Sequence, residues 1–196
     1  MRLHLITDSP TVARKALAGG VDVVQVRVED DVTDRDAYEL TISIVEMCRE
    51  RHATCLVNDR LHIALAAGAH GGHVGADDLP VRAARRILGP RAVLGATARE
   101  PETARRAVAD GASYLGVGPA YPTTTKTGLP DPIGPAGIKA VAGAVEVPVI
   151  AIGGVTAERV PQLLAAGAYG VAVVSAINAA ADPAEAAAEF RKRLAT

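Results

Sequence analysis

Cysteine is scarce in this chain: 196 residues carry two, Cys48 and Cys55. They form no metal-ligand spacing and no disulfide framework, and they read as buried small hydrophobes. A charge excess of either sign is also missing. Twenty-one basic side chains face 22 acidic ones, for a net charge of −1, which argues against nucleic acid or an anionic membrane as a partner. No apolar run reaches membrane-spanning length, and the N-terminus shows no signal-peptide pattern. The expected location is therefore the cytoplasm. No linker or low-complexity segment interrupts the chain. There is no G-x-S-x-G, and His4, His52, His62, His70 and His73 lack the partners of a catalytic triad or a zinc site. What is present is 49% hydrophobic residues, enough for a globular fold with a sizeable core.

A repeat organises that material. Ala-Gly pairs at 18–19, 67–68 and 166–167, with Asp-Gly at 110–111 as a variant, each precede an apolar run. Each glycine (Gly19, Gly68, Gly111, Gly167) suits a helix C-cap, where a left-handed residue is needed. Each apolar run then predicts a strand. The intervals between the glycines suit two strand–helix units apiece. The missing strands are short apolar runs at 53–57, 92–95 and 148–152, with an opening strand at 3–6. Helices are predicted at 10–18, 33–51, 60–67, 80–88, 101–110, 136–143, 156–166 and 183–194. Prolines and threonines open several of them. Near-continuously apolar strands alternating with helices predict a parallel sheet covered by helices. Eight such units predict one α/β domain over 1–196, an eight-stranded parallel (β/α)8 TIM barrel. An open doubly wound sheet is the competing architecture.

In such a barrel the chemistry sits where strands end. The longest loop after a strand runs over 116–131, Gly-Val-Gly-Pro-Ala-Tyr-Pro-Thr-Thr-Thr-Lys-Thr-Gly-Leu-Pro-Asp. Thr123, Thr124, Thr125, Lys126 and Thr127 within it offer hydroxyls and one ammonium with no acid among them, which suits an anion such as phosphate. Asp59 and Asp78 follow adjacent strands. With the Asn58 amide they make a hard oxygen site suited to Mg²⁺, although both also precede helices and could serve as N-caps. Gly153 and Gly154 offer backbone N–H groups before a helix, and Ser175 does so one strand later, where barrels often hold a phosphate. Arg27, at the end of strand two, suits a phosphate as well. No nucleophile stands out. Two anionic subsites without a nucleophile fit a reaction driven by departure of diphosphate, with Arg27 and Lys126 as the catalytic cations.

On these residues the chain resembles the thiamine phosphate synthase family. The resemblance rests on Val-Asn-Asp-Arg at 57–60, His-Val-Gly-Ala-Asp-Asp at 73–78, the 116–126 loop and Ala-Ile-Gly-Gly-Val at 151–155. It implies an Mg²⁺-dependent transferase that joins 4-amino-5-hydroxymethyl-2-methylpyrimidine diphosphate to a thiazole phosphate. The implied path is dissociative: diphosphate leaves, and the thiazole nitrogen captures the pyrimidine-methyl cation. The resemblance assigns Gln25, Arg27, Asn58, Thr97 and Lys126 to the pyrimidine diphosphate and Asp59 and Asp78 to Mg²⁺. It assigns Thr123, Thr125, Gly154, Val174 and Ser175 to the thiazole phosphate. Two positions depart from the family pattern. Thr97 replaces a serine, and Glu29 stands where Gln-x-Arg-x-Lys would put a lysine. A thiazole tautomerase is the nearest alternative, but its histidine would fall where this chain has Pro119. A non-catalytic phosphate-binding barrel is the other. Oligomeric state is left open.

Overall fold

The computed structural model describes residues 1–123, 128 and 130–195. Thr124, Thr125, Lys126 and Thr127, expected in the anion-binding loop, lie outside the described residues, and so do Leu129 and Thr196. The elements alternate from the first strand: β1 (Leu3–Thr7), α1 (Pro10–Ala18), β2 (Val23–Val26), α2 (Asp34–Glu50), β3 (Thr54–Asn58), α3 (Leu61–Ala66), β4 (Gly71–Val74), α4 (Val81–Leu88) and β5 (Val93–Ala98). They continue as α5 (Pro101–Ala109), β6 (Tyr114–Val117), α6 (Gly134–Ala142), β7 (Val149–Ile152), α7 (Val160–Ala165), β8 (Gly170–Val173), α8 (Ser175–Asn178) and α9 (Pro183–Leu194). The strands pair in sequence order, all parallel, and β8 closes back on β1. The closed barrel is thus the observed form, not the open sheet.

Side-chain alternation along each strand makes two apolar layers. Leu3, Leu5, Val24, Val26 and Leu94 face the helices, where alanines such as Ala13, Ala104 and Ala187 allow close approach. Ile6, Val23, Leu56, Tyr114, Ile150 and Ala172 fill the barrel interior. Bulk inside is offset by glycine. A Cβ on Gly95 would lie 2.2 Å from the Tyr114 ring and 2.4 Å from His73 Nδ1, so glycine there makes room for both rings.

The repeated glycines close helices as the pattern predicts, with one correction. Gly68, Gly111 and Gly167 have φ of +66°, +107° and +92°. After α1 the left-handed residue is Gly20 (φ +99°), not Gly19, which stays right-handed at −81°. The hydrogen bonds explain the register. Val21 N donates to Ala16 O and Gly20 N to Leu17 O, as Ala69 N does to Ala64 O and Gly68 N to Leu65 O. These are Schellman closures, whose left-handed residue is one past the cap. Gly19 serves packing instead: a Cβ there would meet Ala184 O of α9 at 2.2 Å.

Helix limits shift by a residue or two from the sequence expectation. Thr33 is the N-cap of α2 and not its first residue, its side chain accepting from Asp36 N. α6 starts at Gly134, earlier than the expected 136. The single helix expected over 156–166 opens as a 3₁₀ turn, Ala157–Arg159, before α7. The short α8 went unanticipated, because its four residues carry too little periodicity to register.

Candidate active site

Every sequence-predicted site residue that is described lies at the end of a strand or in the loop that follows it. Because the strands are parallel, they share one rim. Gln25 is buried on β2, in the same alternation as Val23 and therefore inward. Arg27 follows β2, with its N–H on Thr7 O at 3.2 Å and its side chain exposed. Asn58 ends β3 opposite His73. Thr97 lies on β5 opposite Gly116. Gly153 and Gly154 follow β7. Val174 and Ser175 follow β8, and Ser175 begins α8. Thr123 is half-buried in the loop after β6.

The acidic pair is not used for capping. Asn58 Nδ2 donates to Asp59 Oδ2 at 2.8 Å, and Gly75 N donates to Asp78 Oδ2 at 2.7 Å. Neither α3 nor α4 has a side-chain cap, and their N-cap residues are Arg60 and Pro80. Asp59 sits in the left-handed region at φ +49°, a costly conformation for a residue with a Cβ. Its N–H is held by His73 O at 2.9 Å. Partial burial, and then repulsion from Asp78, push the Asp59 carboxyl above the usual carboxylate range, against the pull of Asn58, Arg60 and Arg27. The Asp78 charge is thus felt at Asp59, and a cation between the two loops would relieve that repulsion. Among the described residues no group of three or more His, Cys, Asp or Glu could hold a metal. Two carboxylates and an amide oxygen fit Mg²⁺, which keeps several waters and bridges carboxylates to substrate phosphates.

Arg60 braces this side from beneath. Its guanidinium donates to the carbonyls of Val32 (2.7 Å), Glu29 (3.1 Å) and Asp30 (3.4 Å), and to Asp34 Oδ1 at 3.3 Å. Arg60 therefore binds the backbone of the loop after β2, and the Glu29 carboxylate has no ion pair among the described residues. Residues 27–29 are not in a strand, so the two-residue spacing of Arg27 and Glu29 does not by itself set both on one side.

The opposite half of the rim is backbone. Gly153 and Gly154 have φ of +93° and +60°. Ala120 N donates to Ile152 O (2.8 Å) and Tyr121 N to Gly153 O (3.0 Å), which docks the long loop on the β7 turn. A Cβ on Gly154 would lie 2.4 Å from Pro122 O. Arg159 clamps the same junction. It donates to Gly154 O and stacks over the Tyr121 ring at 4.3 Å. Asn178 closes the neighbouring seam, joining Ile6 O (2.9 Å) to Val174 O (2.8 Å) and accepting from the Thr7 hydroxyl at 2.6 Å.

Beneath the rim lies a polar cluster of which sequence reasoning assigned only Thr97. His73 is buried, with Nδ1 3.0 Å from the Tyr114 hydroxyl and Nε2 3.0 Å from Thr97 Oγ1. Burial lowers its pKa to about 4, so the ring is neutral at ordinary pH. His4 lies edge-on to Tyr114 at 5.3 Å and is also lowered to about 4, chiefly by burial. Strand parity carried a signal for His73: in the alternation of Gly71, His73 and Gly75, only His73 has a side chain to fill the interior. The other histidines stand apart from the rim. His62 pairs with Asp34 at 3.0 Å, and His70 Nδ1 accepts from Cys55 N at 3.0 Å. Both cysteines are buried and free, as expected.

Carboxylates on adjacent loops, an arginine beside them and glycine turns across the rim define an α/β barrel suited to phosphorylated small molecules. The chain belongs to the thiamine monophosphate synthase family, whose model matches residues 3–177. It is 64% identical to the thiamine-phosphate synthase of Salinispora arenicola, over 98% of this chain and 97% of that one. It is 45% identical to that of Moorella thermoacetica, over 92% and 86%. Among solved structures, the thiamine phosphate pyrophosphorylase of Pyrococcus furiosus superposes with a TM-score of 0.91 at 34% identity, covering 99% of this chain and 95% of that one. A 3-hexulose-6-phosphate synthase at 20% identity and TM-score 0.73 shares the fold. No helix among the described residues is long and apolar enough to cross a membrane.

Proposed function

We propose that this chain is a thiamine phosphate synthase, a transferase that couples 4-amino-5-hydroxymethyl-2-methylpyrimidine diphosphate to a thiazole phosphate and releases diphosphate. It acts in the cytoplasm as one barrel unit over 1–196. The observation that carries this reading is the pairing of Asp59 and Asp78 at the strand ends, neither spent on a helix, in a chain so close to named synthases. Two catalytic groups are expected to act on the leaving diphosphate. Arg27 and Lys126 meet the charge that develops as the methylene C–O bond breaks and its electron pair goes to diphosphate. Gln25, Asn58 and Thr97 orient the pyrimidine. Thr123, Thr125, Gly153, Gly154, Val174 and Ser175 hold the thiazole phosphate, so that the ring nitrogen lone pair faces the methylene carbon and forms the new C–N bond. No protein nucleophile is required, and positioning supplies much of the rate. Asp59 and Asp78, with Asn58 beside them, are the groups to hold Mg²⁺, which when bound neutralises charge on the diphosphate.

The test is release of diphosphate measured with both substrates, with each alone, and with EDTA. Release that needs both substrates and stops with EDTA is expected. Failure to couple the two in the presence of Mg²⁺ overturns the assignment, and undiminished coupling in EDTA overturns the metal role.

A further inference from the structure

The cluster under the rim has a direction. Tyr114, His73 and Thr97 form a chain of hydrogen bonds that runs from the buried Tyr114 to the half-buried Thr97, 3.0 Å at each link. Gly95 and Gly116 leave the space their rings need: a Cβ on Gly116 would lie 3.1 Å from His73 Cε1. A neutral imidazole donates from one nitrogen and accepts at the other, so the chain can run in two senses. In one, Tyr114 donates to Nδ1 and Nε2–H donates to Thr97. In the other, Thr97 donates to Nε2 and Nδ1–H donates to Tyr114.

The Tyr114 hydroxyl decides between them. It is buried, and the hydrogen bond it makes among the described residues is the 3.0 Å link to His73 Nδ1. In the second arrangement the Tyr114 oxygen would accept from His73, and its own hydrogen would be buried without an acceptor. Buried donors without partners are strongly disfavoured. The first sense leaves every group paired.

We infer that His73 and Tyr114 are positioning residues that make the Thr97 hydroxyl a donor aimed into the site, through a relay running Tyr114, His73, Thr97. With its oxygen filled by His73 Nε2–H, the Thr97 hydrogen is free for an acceptor on the pyrimidine diphosphate. This inference rests on the synthase reading for the identity of the ligand, but not for the direction of the relay.

The experiment has two arms. In the first, nitrogen NMR of histidine-labelled ligand-free protein, with His73 assigned by comparison with His73→Gln, reads the tautomer directly. Protonated Nε2 and bare Nδ1 are expected, and the isosteric Tyr114→Phe variant should show mixed tautomers. A wild-type protein with protonated Nδ1 overturns the relay whatever the chain catalyses. In the second arm, Tyr114→Phe should lower kcat/KM for the pyrimidine diphosphate about tenfold, the scale of one hydrogen bond. In a Thr97→Ala background the same change should cost less than about twofold, because the group it acts through is gone. Additive losses overturn the positioning role. A wild-type protein that forms no thiamine phosphate sinks the synthase reading and leaves the first arm to judge the relay.

Discussion

On the proposed reading, the two halves of the rim solve the same problem, holding an anion, by opposite means. On the β2–β4 side the groups are side chains: Arg27, Asn58, Asp59 and Asp78. Each acidic group is fixed by one local hydrogen bond, from Asn58 Nδ2 or from Gly75 N. On the β7–β8 side the groups are backbone. Gly153 and Gly154, both at positive φ, are packed against Pro119 and against Tyr121 and Pro122 respectively, and Arg159 clamps Gly154. Side chains can carry full charge and so recruit a cation, but repulsion between them must be tolerated. Backbone N–H groups carry partial charge and need only geometry, so they bind a phosphate without pKa cost. The difference predicts that the first half fails when charge changes and the second when volume changes.

The largest effect is expected from Asp59→Asn. It keeps the volume and can still accept from a neighbour, but it halves the charge of the pair. Turnover should fall by at least about 10³-fold, while the thermal unfolding midpoint holds or rises as repulsion from Asp78 is relieved. Diphosphate-release kinetics and a thermal melt check this. Turnover within tenfold of wild type would show that the charge of this half is not its working feature.

The volume half is tested by Gly154→Ala. The alanine Cβ meets Pro122 O at 2.4 Å and Tyr121 Cβ at 2.9 Å, and φ is +60°. Neither contact can yield without moving the docked loop. KM for the thiazole phosphate should rise on the order of 30-fold, with the pyrimidine diphosphate KM nearly unchanged. Ala at this position with both constants unaltered would mean that the glycine serves only the turn.

The same contrast explains what was legible in the sequence. The barrel could be read because its strands and C-cap glycines repeat, and repetition survives single exceptions such as Gly19. Asp59, Asp78 and Arg27 could be placed because each sits within a few residues of a strand end, where the fold itself assigns location. The cap reading of the two aspartates could not be removed from sequence, since capping and metal binding want the same residue type. The structure removes the cap reading, with Arg60 and Pro80 as the N-caps, and the metal role is the proposal made for the pair. His73, Tyr114 and Thr97 come from three strands, and only the barrel interior brings them together, so no local pattern announces the cluster. The Arg159–Tyr121 clamp was hidden for the same reason.

Glu29 offers the finest test of the charged half. It stands where the family pattern has lysine, and an exchange between them reverses one charge. Pairing with Arg60 would have neutralised it, but the Arg60 guanidinium is occupied by the carbonyls of Glu29, Asp30 and Val32 and by Asp34. The Glu29 side chain is exposed and has no ion pair among the described residues. Its field at the diphosphate is therefore that of a solvated charge near the rim, worth on the order of 1 kcal/mol or slightly more. Glu29→Lys should tighten the pyrimidine diphosphate roughly tenfold at low salt, and the gain should shrink toward unity as ionic strength rises. Because the Arg60 clamp holds the loop by its backbone, the substitution should leave the melting temperature unchanged. Isothermal titration with Mg²⁺ and the pyrimidine diphosphate over a salt series measures the gain. A salt-independent change would point to contact and not to field. Loss of activity in a folded Glu29→Lys protein would show that the carboxylate itself works on the charged half of the rim.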